Sequence, residues 1–305
     1  ALVPLSAFGA IATRVTESAL TGEAGRANRE VAARVVERVE ASVGSVQGNM
    51  IAVADTAAFH RMEYEEQEHT LQSLLKLVPE IESLTVLDSG GDEQARLSRA
   101  RVYLPGDLIN RVGDPAFDRV IQGQAYIGPV RTSPEGVPLM SLAVPIWGPA
   151  HDKAVGGLVA EVSLRGLLSQ VVALEVGQTG YVFVVDDRGT VIAHPDLSLV
   201  LAGEDFSDKP LVRDLLVGGP LVDVHRYSSD GLEVLGVGMA SPRLGWLVVV
   251  EQPVAEALAT TNAMTWGLTL ALAATLLVAA AIAGYSTLRL TRPLRELERG
   301  AELIG

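Results

Sequence analysis

The sequence predicts an α+β fold: a long N-terminal helix carrying two modules built on antiparallel sheets, with a membrane-spanning helix near the C-terminus. Three observations predict it. Apolar residues recur at helical spacing through residues 11–58, two later blocks repeat one order of strands and helices, and residues 257–288 hold no charged side chain. The chain has 305 residues, a formal net charge of −13 and a positive mean hydropathy, so acidic surface and apolarity occupy different stretches. It has no cysteine, which fits an extracytoplasmic or a cytosolic setting equally.

Residues 1–13 carry no charge and are too short to span a bilayer; they read as the trimmed end of a first membrane helix, with a signal-peptide remnant as the alternative. A long helical stalk follows over 14–79. In it Val31, Val35, Val39, Val43 and Val46 step by three and four, and a second helical stretch with Leu71, Leu74, Leu75 and Val78 on one side stops at Pro79.

The first module is expected over 80–175. It opens with a strand at 81–88, the turn Ser89-Gly90-Gly91-Asp92 and a short strand through Leu97. A helix follows that Asp114 caps, with Pro115 in its first turn and Gly123 past its end. Strands at 126–132, 139–146 and 155–163 make a meander, and an exit helix covers 164–173. The second module, over 176–256, repeats this order. Strands at 181–186 and 191–194 flank the turn Asp187-Arg188-Gly189, a helical connection lies near 210–216, and a meander runs through 221–227, 233–239 and 246–251. An exit helix begins near Pro253.

The span is expected within 257–288. The stretch from Met264 to Tyr285 makes a helix of about 33 Å, close to the hydrocarbon thickness of about 30 Å. Trp266 and Tyr285 suit the headgroup level, and Arg289, Arg292, Arg295 and Arg299 place the C-terminal side in the cytoplasm. Residues 289–305 then carry Leu290, Leu294, Leu297, Ala301 and Ile304 at coiled-coil steps, with Pro293 at the start.

Two runs tie this order to a family. One is Gly128-Pro129-Val130 leading to 139–145 and 156–164; the other is Gly177-Gln178-Thr179-Gly180-Tyr181 leading through Asp186 to Ala193-His194-Pro195. The chain resembles, over roughly 26–256, the double Cache sensor domains of bacterial chemoreceptors, histidine kinases and cyclases. Leu290-Thr291-Arg292-Pro293-Leu294-Arg295-Glu296-Leu297 resembles the start of a HAMP linker. The resemblance implies two PAS-like modules, an extracytoplasmic sensor and a cytoplasmic C-terminus at the inner membrane.

No catalytic constellation is present in the sequence. His60, His69, His151, His194 and His225 show no ligand spacing, so no metal site is expected, and no phosphate loop or nucleophile elbow is found. Gly90-Gly91-Asp92-Glu93 imitates a cyclase signature but continues with Gln94, and reads as a polar hairpin turn. No cofactor and no nucleic-acid partner are expected.

By the resemblance, ligand binds in the membrane-distal module between the meander and the preceding helix. Relatives that bind amino acids carry an Arg-x-Trp-Tyr motif on that helix and an acidic residue at the end of the last strand. The matching positions here read Gly113-Asp114-Pro115-Ala116-Phe117, so the carboxylate clamp is missing, while Glu161 stands at the acidic position. A free amino acid is therefore disfavoured. Candidate pocket residues are Phe117, Tyr126, Arg131, Ser141 and Glu161, with Arg131 able to hold a small anion or carboxylate and Glu161 a cation. The plain alternative is a solvated Arg131–Glu161 pair over core packing by Phe117 and Tyr126. In the second module Tyr181, Asp186 and His194 are expected to staple a hairpin. The functional expectation is a homodimeric transmembrane receptor with a small-molecule ligand. Its output is most simply a histidine kinase by analogy, with a chemotaxis receptor, a cyclase or an ectodomain docking a periplasmic binding protein as alternatives.

Overall fold

The structure, a computed structural model, describes residues 3–61, 64–133, 136–219, 221–229, 231–257, 270, 274–275 and 277–285. It divides into a large compact unit, Thr21–Val254, and a second unit made of Ala1–Leu20 with Ala255–Gly305. In the second unit residues 3–20, 255–257 and 277–285 are helical. The span expected over 257–288 lies for the most part outside the described residues, and the coiled-coil start at 289–305 lies wholly outside them. Among the described residues no helix is long and apolar enough to cross a membrane.

Helix α1 (Val3–Ala54) presents Val35, Val39, Val43, Val46 and Met50 as a buried stripe, each at most 5% exposed. It stops four residues short of the expected end. Asp55 and Thr56 break it, and the short α2 (Ala57–His60) turns Phe59 fully into the core. The amphipathic α3 (Tyr64–Leu77) follows and ends before Pro79, as a proline requires.

Two five-stranded antiparallel sheets pack on this stalk. The first has β1 (Ile81–Asp88), β2 (Glu93–Ser98), β3 (Tyr126–Thr132), β4 (Pro138–Trp147) and β5 (Ala154–Ser163), in the order β2-β1-β5-β4-β3. Helix α4 (Pro115–Val120) precedes β3, and α5 (Arg165–Val172) leaves β5. The second has β6 (Tyr181–Val185), β7 (Val191–Ala193), β8 (Leu221–Ser229), β9 (Leu232–Ala240) and β10 (Leu247–Pro253), in the order β7-β6-β10-β9-β8. The two orders are the same path repeated. Helices α6 (Leu197–Ala202) and α7 (Pro210–Gly218) sit between β7 and β8, and α8 (Val254–Ala257) follows β10. The sequence reading passed over α6 although its signals are present: Asp196 Oδ1 accepts from Ser198 N at 2.9 Å, and Gly203 closes the helix with φ 62°.

One face of each sheet meets the stalk. Leu84, Val86, Leu142, Leu158 and Ala160 from the first sheet, and Val182, Val184, Val248 and Val250 from the second, share one core with the valines of α1. The residues between them in each strand face the other way. In the first sheet α4 covers that outer face thinly, with Ala116 and Val120 on Ala143. Gly157 makes the contact possible, because a Cβ there would sit 2.4 Å from Val120 Cγ2. In the second sheet α6 and α7 bury Phe183, Val185 and Val249 under Val200, Leu211, Val212 and Leu215.

Polar ties hold the second sheet to the stalk. Glu40 Oε1 accepts from Ser241 Oγ at 2.6 Å and from Arg243 N at 3.1 Å, and Arg243 Nη2 donates to Gln47 Oε1 at 3.1 Å. Further along α1, Asn28 Nδ2 donates to Gln252 Oε1 at 3.4 Å.

Candidate functional site

Strand register decides which side chains meet on the outer face of the first sheet. Ser83 on β1 and Ser141 on β4 both pair with Glu161 on β5, so the three form one row. Two residues along, Thr85 and Ala143 flank Val159, and Arg96 on β2 pairs with Thr85. Apart from Ala143, these residues floor a cavity of about 200 Å³ whose walls are Arg111 in the loop before α4, Asp114 and Ala116 at its start, and Tyr126, Pro129 and Arg131 from β3.

Four of the five expected residues, Tyr126, Arg131, Ser141 and Glu161, line this one cavity. Phe117 does not. It is buried at 6% exposure, and its ring edge lies against the hairpin turn, 3.3 Å from where a Cβ on Gly91 would stand. Arg131 Nη2 donates to Glu161 Oε1 and to Ser141 Oγ, both at 2.9 Å, so the ion pair given above as the plain alternative is present. It is open to water, with the Arg131 side chain 58% exposed and that of Glu161 35%.

The sequence reading missed the other two cations. Arg111 lies in the loop two residues ahead of the positions compared with the arginine motif, and the structure brings it into the cavity wall. Its Nε donates to Glu93 Oε1 at 2.8 Å and its Nη1 to Asp114 Oδ2 at 3.2 Å, while Asp114 Oδ1 caps α4 by accepting from Ala116 N at 2.9 Å. Burial alone would lower the pKa of Arg111, but the hydrogen bond and charge of Glu93, then those of Asp114, outweigh it and raise the value. Arg96 Nη1 lies 3.5 Å from the same Glu93 carboxylate, its guanidinium stacks over Tyr103, and its Nε is buried with no hydrogen-bond partner among the described residues. Glu93, read from sequence as part of a polar turn, has a fully buried side chain and anchors both arginines.

The cavity thus offers three guanidinium groups and the carboxylates of Asp114 and Glu161 within one small volume. Cavities for drug-sized ligands run from about 300 to 1,000 Å³, so this one suits a smaller, doubly charged molecule.

The second module closes the same place with its own side chains. Glu251 holds the position on β10 that Glu161 holds on β5, pairing with the first strand of its sheet at Tyr181 and with the middle meander strand at Gly236. It is fully buried. Tyr181 Oη donates to Glu251 Oε2 at 2.6 Å, Tyr227 Oη donates to Oε1, and Lys209 Nζ lies 3.8 Å away. Gly236 allows this, since a Cβ there would be 2.6 Å from the Tyr227 ring. Burial, and then the charge and hydrogen bond of Glu251, push the Tyr227 pKa far up and keep it a donor. His194, expected as a hairpin staple, packs edge-on against Tyr181 and Phe206 and accepts from Asp196 N at 2.9 Å. Asp186 does staple its turn, accepting from Arg188 N and Thr190 N. A larger hollow of about 660 Å³ between α5, β7 and α6 is mostly apolar, with Arg165 charged among the described lining residues.

A family profile described as a Cache domain matches residues 16–261. Solved structures share the fold. The sensory domain of the Campylobacter jejuni chemoreceptor Tlp3 with isoleucine bound is 12% identical, with a TM-score of 0.63 over 80% of this chain and 98% of that one. The ligand-binding domain of the Pseudomonas fluorescens chemoreceptor CtaA in complex with L-isoleucine is 16% identical, with a TM-score of 0.57 over 80% and 98%. The extracellular domain of the putative histidine kinase mmHK1S-Z2 is 15% identical, with a TM-score of 0.61 over 78% and 99%.

Proposed function

This chain belongs to the Cache domain family of sensory modules, and from that premise we propose that it is the extracytoplasmic input of a membrane receptor that binds a small zwitterionic solute in the cavity of its first module. The observation that carries the reading is the contrast between two carboxylates in one register: Glu251 is sealed by two tyrosines and a lysine, whereas Glu161 faces a cavity shared with Arg111 and Arg131. Arg111 and Arg131 would hold a carboxylate, and Glu161 with Asp114 an ammonium group. The objection to amino acids rested on the absence of an arginine at 113–117. Arg111 supplies one from the adjoining loop, and the Tlp3 and CtaA structures named above hold isoleucine.

In the same proposal the chain is a homodimer at the inner membrane, its C-terminus is cytoplasmic, and the signal passes through the 257–288 helix and the 289–305 linker to a histidine kinase. A chemotaxis receptor or cyclase output uses the same input half. A ligand moves such a receptor only by preferring one of two states. The test is thermal unfolding of the purified chain against a panel of amino acids and short carboxylates. A solute at a hundred times its Kd stabilises by about 2.7 kcal/mol, and the Arg111→Ala variant should lose that shift. No shift with any solute, together with capture of a binding protein from envelope extract, would replace direct sensing by docking.

A further inference from the structure

We infer a divalent transition-metal site of zinc type at the end of the stalk, formed by Asp55, His60 and His151. These residues come from three separate segments: the residue just after α1, the last residue of α2, and the β4–β5 turn. Their ligand atoms all lie within 4.8 Å of one another.

The distances accommodate a shared ion as well as hydrogen bonds. His60 Nε2 lies 3.2 Å and His151 Nε2 3.4 Å from the same oxygen, Asp55 Oδ1. Both are at or beyond the long end of the N–H···O range of about 2.7–3.2 Å. They match the edge of a tetrahedron around zinc, which for bonds of about 2.0–2.1 Å is roughly 3.3–3.4 Å. The imidazole rings stand at 86° with centroids 5.0 Å apart, so the two nitrogens approach from different directions without stacking. Two imidazoles and a carboxylate suit zinc-like ions, and the three ligands found among the described residues leave a fourth position for water or another donor.

The surroundings fit a site that loads from solvent. The side chains of Asp55 and His151 are 56% and 52% exposed, and that of His60, at 15%, is held by the fold. His151 is the one described non-glycine residue with positive φ, at 53°. That left-handed turn directs its ring to the stalk end. A bound ion would pin the β4–β5 turn of the sensing module to the point where α1 breaks.

The test uses the full chain, freed of any histidine tag and stripped with a chelator. Zn²⁺ is titrated in competition with a chromophoric chelator, and thermal unfolding is followed with and without the ion. The expected result is one equivalent bound, a higher Tm with zinc, and an affinity loss of at least about tenfold in His151→Gly and in Asp55→Asn, since losing an outer-shell partner alone costs about 10–100-fold. His151→Gly suits the left-handed backbone, so the variant folds. Equal zinc affinity in wild type and both variants, or no equivalent bound by wild type, overturns the site.

Discussion

Replacing Glu93 by alanine tests whether the cation wall of the cavity is built from behind. The carboxylate is fully buried and accepts from Arg111 Nε at 2.8 Å and Ile109 N at 3.3 Å, with Arg96 Nη1 at 3.5 Å. Breaking a buried ion pair costs about 3–5 kcal/mol. Here Arg111 and Arg96 are 29% and 17% exposed to the cavity, so water recovers part of that, and the lower end, about 3 kcal/mol, applies. For a unit of this size that is a Tm fall of roughly 6–12 °C. Thermal unfolding of Glu93→Ala, Arg111→Ala and the double variant gives the pairwise energy, expected at about 2 kcal/mol because the double variant removes both members of the closest pair, the loss at Arg96 being common to both variants that lack Glu93. A coupling below about 0.5 kcal/mol would mean that the arginine is held by Asp114 and packing instead, and would refute the reasoning.

Arg131→Ala separates binding from stability: its exposed pair with Glu161 is worth under about 1 kcal/mol, so Tm should hardly move while the ligand-induced shift disappears. Tyr227→Phe leaves one oxygen of the fully buried Glu251 without its hydroxyl donor and should cost about 1–3 kcal/mol in thermal unfolding, an unchanged Tm counting against the sealed-site description. Gly156→Ala puts a Cβ 2.1 Å from Leu87 O, a backbone atom that cannot step aside, and should destabilise by about 1–3 kcal/mol or more or prevent folding. His194 has its pKa lowered from 6.5, first by burial and also by the charge of Lys209, so the unfolded chain takes up the proton first. Its contribution is intact above pH 6.5 and falls away as pH drops below it; Tm at pH 5.5 against 7.5 should fall less in His194→Asn than in wild type.

Turn chemistry made the sheets legible. Pro115 after Asp114 and the glycines of the hairpins punctuate the sequence, and the limits of β1 and β3 follow from them to the residue. The break at Asp55 carries no glycine or proline, so nothing local announces it. The family resemblance placed Arg131, Ser141 and Glu161 at one pocket, but it did not reach Arg111, which lies in a loop ahead of the compared positions. Glu93 deceived by composition: it follows a polar turn, yet it opens β2 with a buried side chain. Phe117 shows the limit of helical phase, which gives an inward direction but not the neighbour met there. The histidine pair was hidden because His60 and His151 are distant in the chain and the fold alone brings them together.

The bonds between the second sheet and α1 turn a packing contact into a mechanical constraint. One tie is at Asn28 and the others at Glu40 and Gln47, so the outermost are separated by about 29 Å of helix. A rod held in two brackets that far apart resists tilting, because rotation about either one must stretch the other. Sliding is resisted as well, since Glu40 grips both a side chain and a backbone amide of the β9–β10 turn. Between Asn28 and Gln47 the helix and the second sheet are therefore braced as one piece.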